Sequence, residues 1–185
     1  MRDNRAREAY RAVPWIGAGL CVWFSLGPVR PDAAWADTIL LDGTIRDFSP
    51  NHPDFERDIC GHITGLVDSQ LGQDGTPQYG PNGAQCIQSP STLYEWYHNI
   101  NGVNMWDAFP LSMDNGQVNP GGTYVYSNPA FFPIDGQMFG NDGNSHNYHF
   151  TLELHSTFVY MGGETFTFTG DDDLWIFIDG QLVID

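Results

Sequence analysis

The chain contains no lysine, and seven arginines stand against 23 acids, a formal charge of −16 over 185 residues. So few cations cannot neutralise a phosphate backbone, which excludes a nucleic-acid binder. Cysteine is scarce as well. There are three, with no C-x-x-C pair, too few for a zinc ribbon or a dithiol redox motif. The sequence lacks G-x-S-x-G, H-E-x-x-H and a P-loop, so no familiar catalytic motif is present. Helix breakers are abundant: Gly (21) and Pro (12) supply about 18% of the chain, against about 12% in average proteins. Both residues break helices, and a helical bundle is excluded. Hydrophobic residues, at 41%, are too many for a disordered acidic tail and enough for a core.

Charge is divided unevenly. Five arginines (Arg2, Arg5, Arg7, Arg11, Arg30) lie in the first 30 residues, whereas after Ala36 only Arg46 and Arg57 face 20 acids, a net of −18. The first part reads as a secretory signal over residues 1–36. It has a basic start, a mostly apolar stretch from Val13 to Leu26, and Ala34-Trp35-Ala36 as an A-x-A cleavage site, so the mature chain begins at Asp37. The apolar stretch falls short of the roughly 20 residues that a membrane span requires. Leu20 before Cys21 is not the small residue a lipobox requires. After cleavage no transmembrane segment is expected.

The mature part, 37–185, is the size of one domain. Only Cys60 and Cys86 remain in it, and in an oxidising compartment two such cysteines are expected to pair as a structural staple. Asp-Gly or Asn-Gly recurs at 42–43, 74–75, 82–83, 101–102, 115–116, 135–136, 142–143 and 179–180. These dipeptides favour tight turns and predict an all-β sandwich or barrel. Phe150–His155 alternates as a half-buried strand, with Thr157–Tyr160 continuing it after a kink; Thr165–Thr169 alternates strictly. Leu174–Ile178 is apolar on both faces and reads as a central strand, turned by Asp179-Gly180 into Gln181–Asp185. A returning strand at the last residue is expected to be an open edge, which makes the domain incomplete at its C-terminus. Two short helices are predicted. One begins at Pro53-Asp54-Phe55-Glu56; the other has Thr92 and Glu95 as a capping box, Leu93, Trp96, Tyr97 and Ile100 on one face, and Asn101-Gly102 as its end.

Two clusters invite a chemical reading. His149, Thr151, Glu153 and His155 would share one face of a strand, with His146 nearby. They lack the H-x-H plus distant Glu of jelly-roll metalloenzymes, and a polar outer strand face is the expectation. No catalytic residue is assigned, and any pair among 20 acids would serve equally badly as a glycosidase pair. The second cluster is Gly170-Asp171-Asp172-Asp173, between two strong strands. Three adjacent carboxylates repel one another, and a hard cation with oxygen ligands, outside cells usually Ca²⁺, relieves the repulsion. A solvated acidic turn is the equal alternative on charge alone.

Thr165–Asp185, TFTFTGDDDLWIFIDGQLVID, resembles the core signature of fibro-slime domains, with further matches at GTIRDF (43–48), HPDFE (52–56), LYEWYHNINGVNM (93–105), FFPIDGQMFGN (131–141) and HNYHFTLELH (146–155). These are secreted bacterial modules related to the protective-antigen-type β-barrel domain of toxins, glycosidases and adhesins. The resemblance implies a β-sandwich or barrel and a Ca²⁺ site at Asp171 and Asp172, joined by a cis peptide, with the ion contacting sugar hydroxyls. Asp173 would be a third ligand or a capping residue, and further ligands would follow Asp185. The expected function is a secreted, calcium-dependent carbohydrate-binding or adhesion module, its partner a glycan or cell-surface polysaccharide. The alternatives are a structural component of extracellular matrix or slime, and an accessory domain of a larger secreted hydrolase.

Overall fold

Strands are the main element of the structure, a computed structural model. It describes residues 38–55, 60–116, 122–170 and 173–185, together with the backbone path of 6–15 and 20–25. The strands are β1 (Ala6–Trp15), β2 (Leu20–Ser25), β3 (Thr38–Phe48), β4 (Val67–Leu71), β5 (Pro77–Tyr79), β6 (Asn104–Ala108), β7 (Leu111–Asp114), β8 (Thr123–Asn128), β9 (Phe150–Val159), β10 (Thr165–Gly170), β11 (Trp175–Ile178) and β12 (Gln181–Ile184). One helix, α1 (Pro90–Tyr97), accompanies them. The fold is all-β, as the turn chemistry predicts, and sandwich-like.

Its connectivity depends on β3. Thr38–Leu41 pairs with β7 in one sheet, while Thr44–Phe48 pairs with β6 and Asp42–Asp47 with β9 in the other. A single strand therefore serves both layers. The changeover falls at Asp42-Gly43, which the dipeptide rule had marked as a turn. A side chain at 43 would place its Cβ 1.9 Å from the Phe109 carbonyl oxygen, and the Gly43 carbonyl accepts the Phe109 N–H at 2.8 Å. The glycine is there for close approach of two backbones, not for a reverse turn. Asp179-Gly180 does turn the chain, with both residues at positive φ (51° and 76°), the conformation a tight hairpin requires.

Around the first half of β9 and β11 the sheet is buried on both faces. Ile45, Phe150, Leu152 and Leu154 meet Leu111, Met113, Tyr124 and Phe131 from the other layer. Phe48, Trp175 and Phe177 pack with Phe55, Leu93, Trp96 and Tyr97 around α1. This corrects the reading of Phe150–His155 as half-buried: residues 150–154 are all buried, because α1 covers the face that carries the polar residues. β9 also runs on to Val159 without the expected break.

α1 is capped one turn earlier than the sequence suggested. Ser89 is the N-cap, its Oγ accepting the Thr92 N–H at 3.1 Å while Thr92 Oγ1 accepts the Ser89 N–H at 3.1 Å, and Pro90 opens the helix. Residues 51–55 form turns rather than a helix. Asp54 there accepts the Gln88 N–H at 2.7 Å and the Trp96 indole N–H at 3.1 Å, so its carboxylate braces the approach to α1.

Cys60 and Cys86 are disulfide-bonded, as predicted. The bond joins the loop before β4 to the short 3₁₀ turn Gly83–Gln85. Closing 26 residues of chain should contribute about 3 kcal/mol, chiefly by restricting the unfolded state. Chemical denaturation of a Cys60→Ser/Cys86→Ser variant should show that loss. An unchanged midpoint would mean that the unfolded chain is already compact around this loop.

β12 is not the open edge expected of it. It lies between β11 and β4, the Leu71 N–H donates to the Gly180 carbonyl at 2.9 Å, and Asp185 is held at its end. The Ala34-Trp35-Ala36 cleavage motif lies outside the described residues. Backbone at 6–15 and 20–25, within the proposed leader, runs in the sheet: β1 between β9 and β11, β2 between β8 and β10. Among the described residues, no helix is long and apolar enough to cross a membrane.

Candidate functional site

The acidic loop connects β10, in one layer, to β11, in the other. Asp171 and Asp172 lie outside the described residues, and so does the peptide bond between them. Asp173 is described, and its surroundings carry the local chemistry. Burial pushes its carboxyl above the ordinary aspartate range; the charge of His62 opposes this, and Asp185 adds to the rise. Asp185 reaches the loop because the β11–β12 hairpin sets Ile184 opposite Ile176. Its carboxylate accepts the Trp175 indole N–H at 3.0 Å and the Gly65 N–H at 2.6 Å. Tyr97 is also within electrostatic range: burial drives its phenol upward, and Glu153 and Asp173 reinforce the shift while Arg46 opposes it.

Asp185 is thus within electrostatic range of Asp173, the residue that follows the Asp171-Asp172 pair in sequence. The Asp173 carboxyl, whose ionisation burial and Asp185 oppose, has the chemistry a hard divalent cation would relieve. Sequence reading named Asp173 and missed Asp185 and His62. The hairpin turn at Asp179-Gly180 was the signal for Asp185. For His62, in an irregular loop, no sequence signal existed. Among the described residues no cluster of three or more His, Cys, Asp or Glu side chains is arranged to hold a metal.

From His149 to Glu153 this face is buried and not a polar outer surface; only His155 is exposed. Thr151 is fully buried and donates its hydroxyl to the Trp96 carbonyl at 2.9 Å. Glu153 accepts Arg46 Nη1 at 2.6 Å and lies 2.8 Å from His155 Nε2. Arg46 Nε donates to Asn99 Oδ1 at 2.8 Å. Burial would raise Glu153, but the His155 hydrogen bond and the Arg46 charge outweigh it and hold the carboxyl below its usual range. This network ties β3, β9 and the end of α1 together.

A second buried acid organises the long loop 129–149. Asp47 accepts the Phe139 N–H at 2.7 Å and Asn147 Nδ2 at 2.9 Å. Burial pushes its pKa up to about 6 against the pull of those donors, with Asp142 adding to the rise. On the outside of this loop Phe132 stacks on His146, centroids 3.7 Å apart. His146 in turn lies 2.6 Å from Asp135 Oδ2. Tyr94, Met105 and Trp106 are the exposed large side chains around α1 and β6, and Tyr94 stacks on His98 at 3.5 Å.

No protein-family model matches the chain, and no solved structure matches it. Curated proteins of Dictyostelium discoideum do. Protein psiQ is 42% identical over 164 residues, protein psiD 41% over 167 and protein psiC 42% over 166, each match taking in 80% of this chain. The chain spans only 16% of psiQ and 32% of psiD and psiC. Over four-fifths of its length, then, this chain is similar to one portion of several much longer Dictyostelium psi proteins.

Proposed function

We propose that the chain is a secreted, calcium-dependent carbohydrate-binding or adhesion module, with Asp171, Asp172 and Asp173 holding the ion on the loop between β10 and β11. The observation that carries this reading is the environment of Asp173, a carboxyl raised by burial and by Asp185 at the point where two more aspartates join it. Secretion is supported by the leader-like N-terminus and by the Cys60–Cys86 bond, which an oxidising compartment sustains. Bound Ca²⁺ would supply open coordination positions for neutral hydroxyl pairs; the chain's acidity disfavours anionic polymers. Exposed Tyr94 and Trp106 offer apolar faces of the kind that pack on sugar rings.

Extracellular modules bind calcium at about 10⁻⁴–10⁻³ M, and at 100 times Kd the ion stabilises a fold by about 2.7 kcal/mol. Melting the exported full-length protein with calcium and with chelator should show a clear calcium-dependent rise for wild type and little for Asp172→Asn. Glycan-array binding should fall in parallel. A wild type indifferent to millimolar calcium would reduce the loop to an acidic turn and remove the basis for calcium-dependent binding.

A further inference from the structure

We infer that the outer edge of β10 is a self-association surface, to which a second copy of this chain adds its own β10 antiparallel to the first.

β10 stands at one end of the strand order and, among the described residues, pairs on one side only, with β2. Two other strands lie at edges. β5, at the opposite end of the order, is three residues long and begins with Pro77. β6, which among the described residues pairs with β3 alone, carries Asp107. Short length, proline and charge are the usual guards against edge-to-edge pairing. β10 has none of them. Thr165–Gly170 runs for six residues without a charge or a proline, and threonine and phenylalanine both favour strands.

An edge open to pairing does not by itself choose a partner, but the sequence of β10 does. Thr165-Phe166-Thr167-Phe168-Thr169 reads the same in both directions. An antiparallel copy centred on Thr167 therefore sets Thr opposite Thr and Phe opposite Phe at every position, the self-complementarity that a two-fold interface requires. Directly opposed residues share a face, and the alternation already sorts the faces. Phe166 and Phe168 are partly buried and pack on the core together with Phe158, whereas Thr165, Thr167 and Thr169 are exposed. A second β10 would extend the layer with its phenylalanines on the inner face and a ladder of opposed threonines, a favourable cross-strand pairing, on the outer one.

Charge is the main obstacle, since the residues after Ala36 carry a net −18 and two copies repel. The register limits that repulsion at the contact. Glu164, the acid next to the strand, would stand opposite Gly170, which has no side chain. Its carboxylate is also turned back on its own hairpin, accepting the Met161 N–H at 2.8 Å and the Gly162 N–H at 2.9 Å. A basic peptide would suit the charge of the whole chain, but Thr165–Gly170 offers it no acid to pair with. The palindrome fits a second copy, and as a property of β10 alone it depends neither on β2 nor on calcium.

The test is sedimentation velocity of the full-length protein in chelator, over a series of concentrations. It should show a concentration-dependent dimer that added salt strengthens by screening the like charges. Thr167→Lys sets two cations opposite each other across the two-fold axis. It should raise the concentration needed for dimer by about tenfold or more, while the far-UV circular dichroism stays that of wild type. Cysteine crosslinking then reads the register. Thr167→Cys stands opposite itself and should link two copies on oxidation, above the wild-type background. Thr165→Cys should link to Thr169→Cys in a mixture of the two proteins, and not to itself. Three results would overturn the inference: a wild type monomeric at every concentration and salt, a dimer that Thr167→Lys leaves intact, or Thr165→Cys linking to itself as readily as Thr167→Cys. If Thr167→Lys failed to fold, the cysteine pairs would decide.

Discussion

Replacing Arg46 with methionine should cost the domain about 3–5 kcal/mol, because it strands a buried carboxylate. Arg46 and Glu153 have side chains only 7% and 9% exposed and meet at 2.6 Å. With the guanidinium gone, Glu153 keeps only His155, whose own side chain is half in water, and Asn99 loses its donor. Urea denaturation would measure the loss. The pair itself is worth less than its breakage, so Arg46→Met/Glu153→Leu should recover most of the stability. A loss under about 1 kcal/mol in the single variant would mean that water reaches the pair. The pH dependence has a definite sign. Glu153 is held below its usual range, so its contribution is present above the unfolded carboxylate value of about 4.5 and disappears as pH falls through the lower folded value. Acid should therefore weaken wild type more than Arg46→Met/Glu153→Leu.

Gly43→Ala should be nearly as damaging, by about 3 kcal/mol. The added methyl would lie 1.9 Å from the Phe109 carbonyl oxygen and 2.8 Å from Leu154 Cδ2. Leu154 can shift, but Phe109 cannot move without breaking its hydrogen bond to Gly43 and separating β6 from β7. Differential scanning calorimetry should show a lowered Tm with tertiary structure loosened in both layers, since β3 is common to them. If Gly43→Ala melted like wild type, β3 would have to pass between the layers at some other residue.

Strands were legible in this sequence wherever local chemistry and tertiary context agreed. Asp179-Gly180 demanded positive φ and received it, and Leu174–Ile178 was apolar throughout because β11 is covered on both faces. Legibility failed where one residue answered two demands. Asp42-Gly43 has the composition of a turn, but its glycine serves a backbone contact with residue 109, a partner no local rule can name. His149–His155 reads as amphipathic, yet its polar face is buried as far as Glu153, whose charge Arg46, a hundred positions away in sequence, neutralises. At the candidate site the aspartate triplet was visible at once. His62 was not, since an irregular loop carries no periodicity from which its position could be deduced.

The Cys60–Cys86 bond has a mechanical side. Were the chain to tether cells or matrix as proposed, it would be pulled along its backbone, and the segment between these cysteines, 26 positions apart, would lie outside the path of that force. Stretched to the limit, the chain is shorter by about 90 Å than its residue count allows. β4 and β5 lie inside the closed loop, and so does Gly65, which holds Asp185 beside the acidic loop. Tension that peels away outer strands would therefore leave these segments chemically tethered to α1, available to re-form the site's surroundings when the load is released.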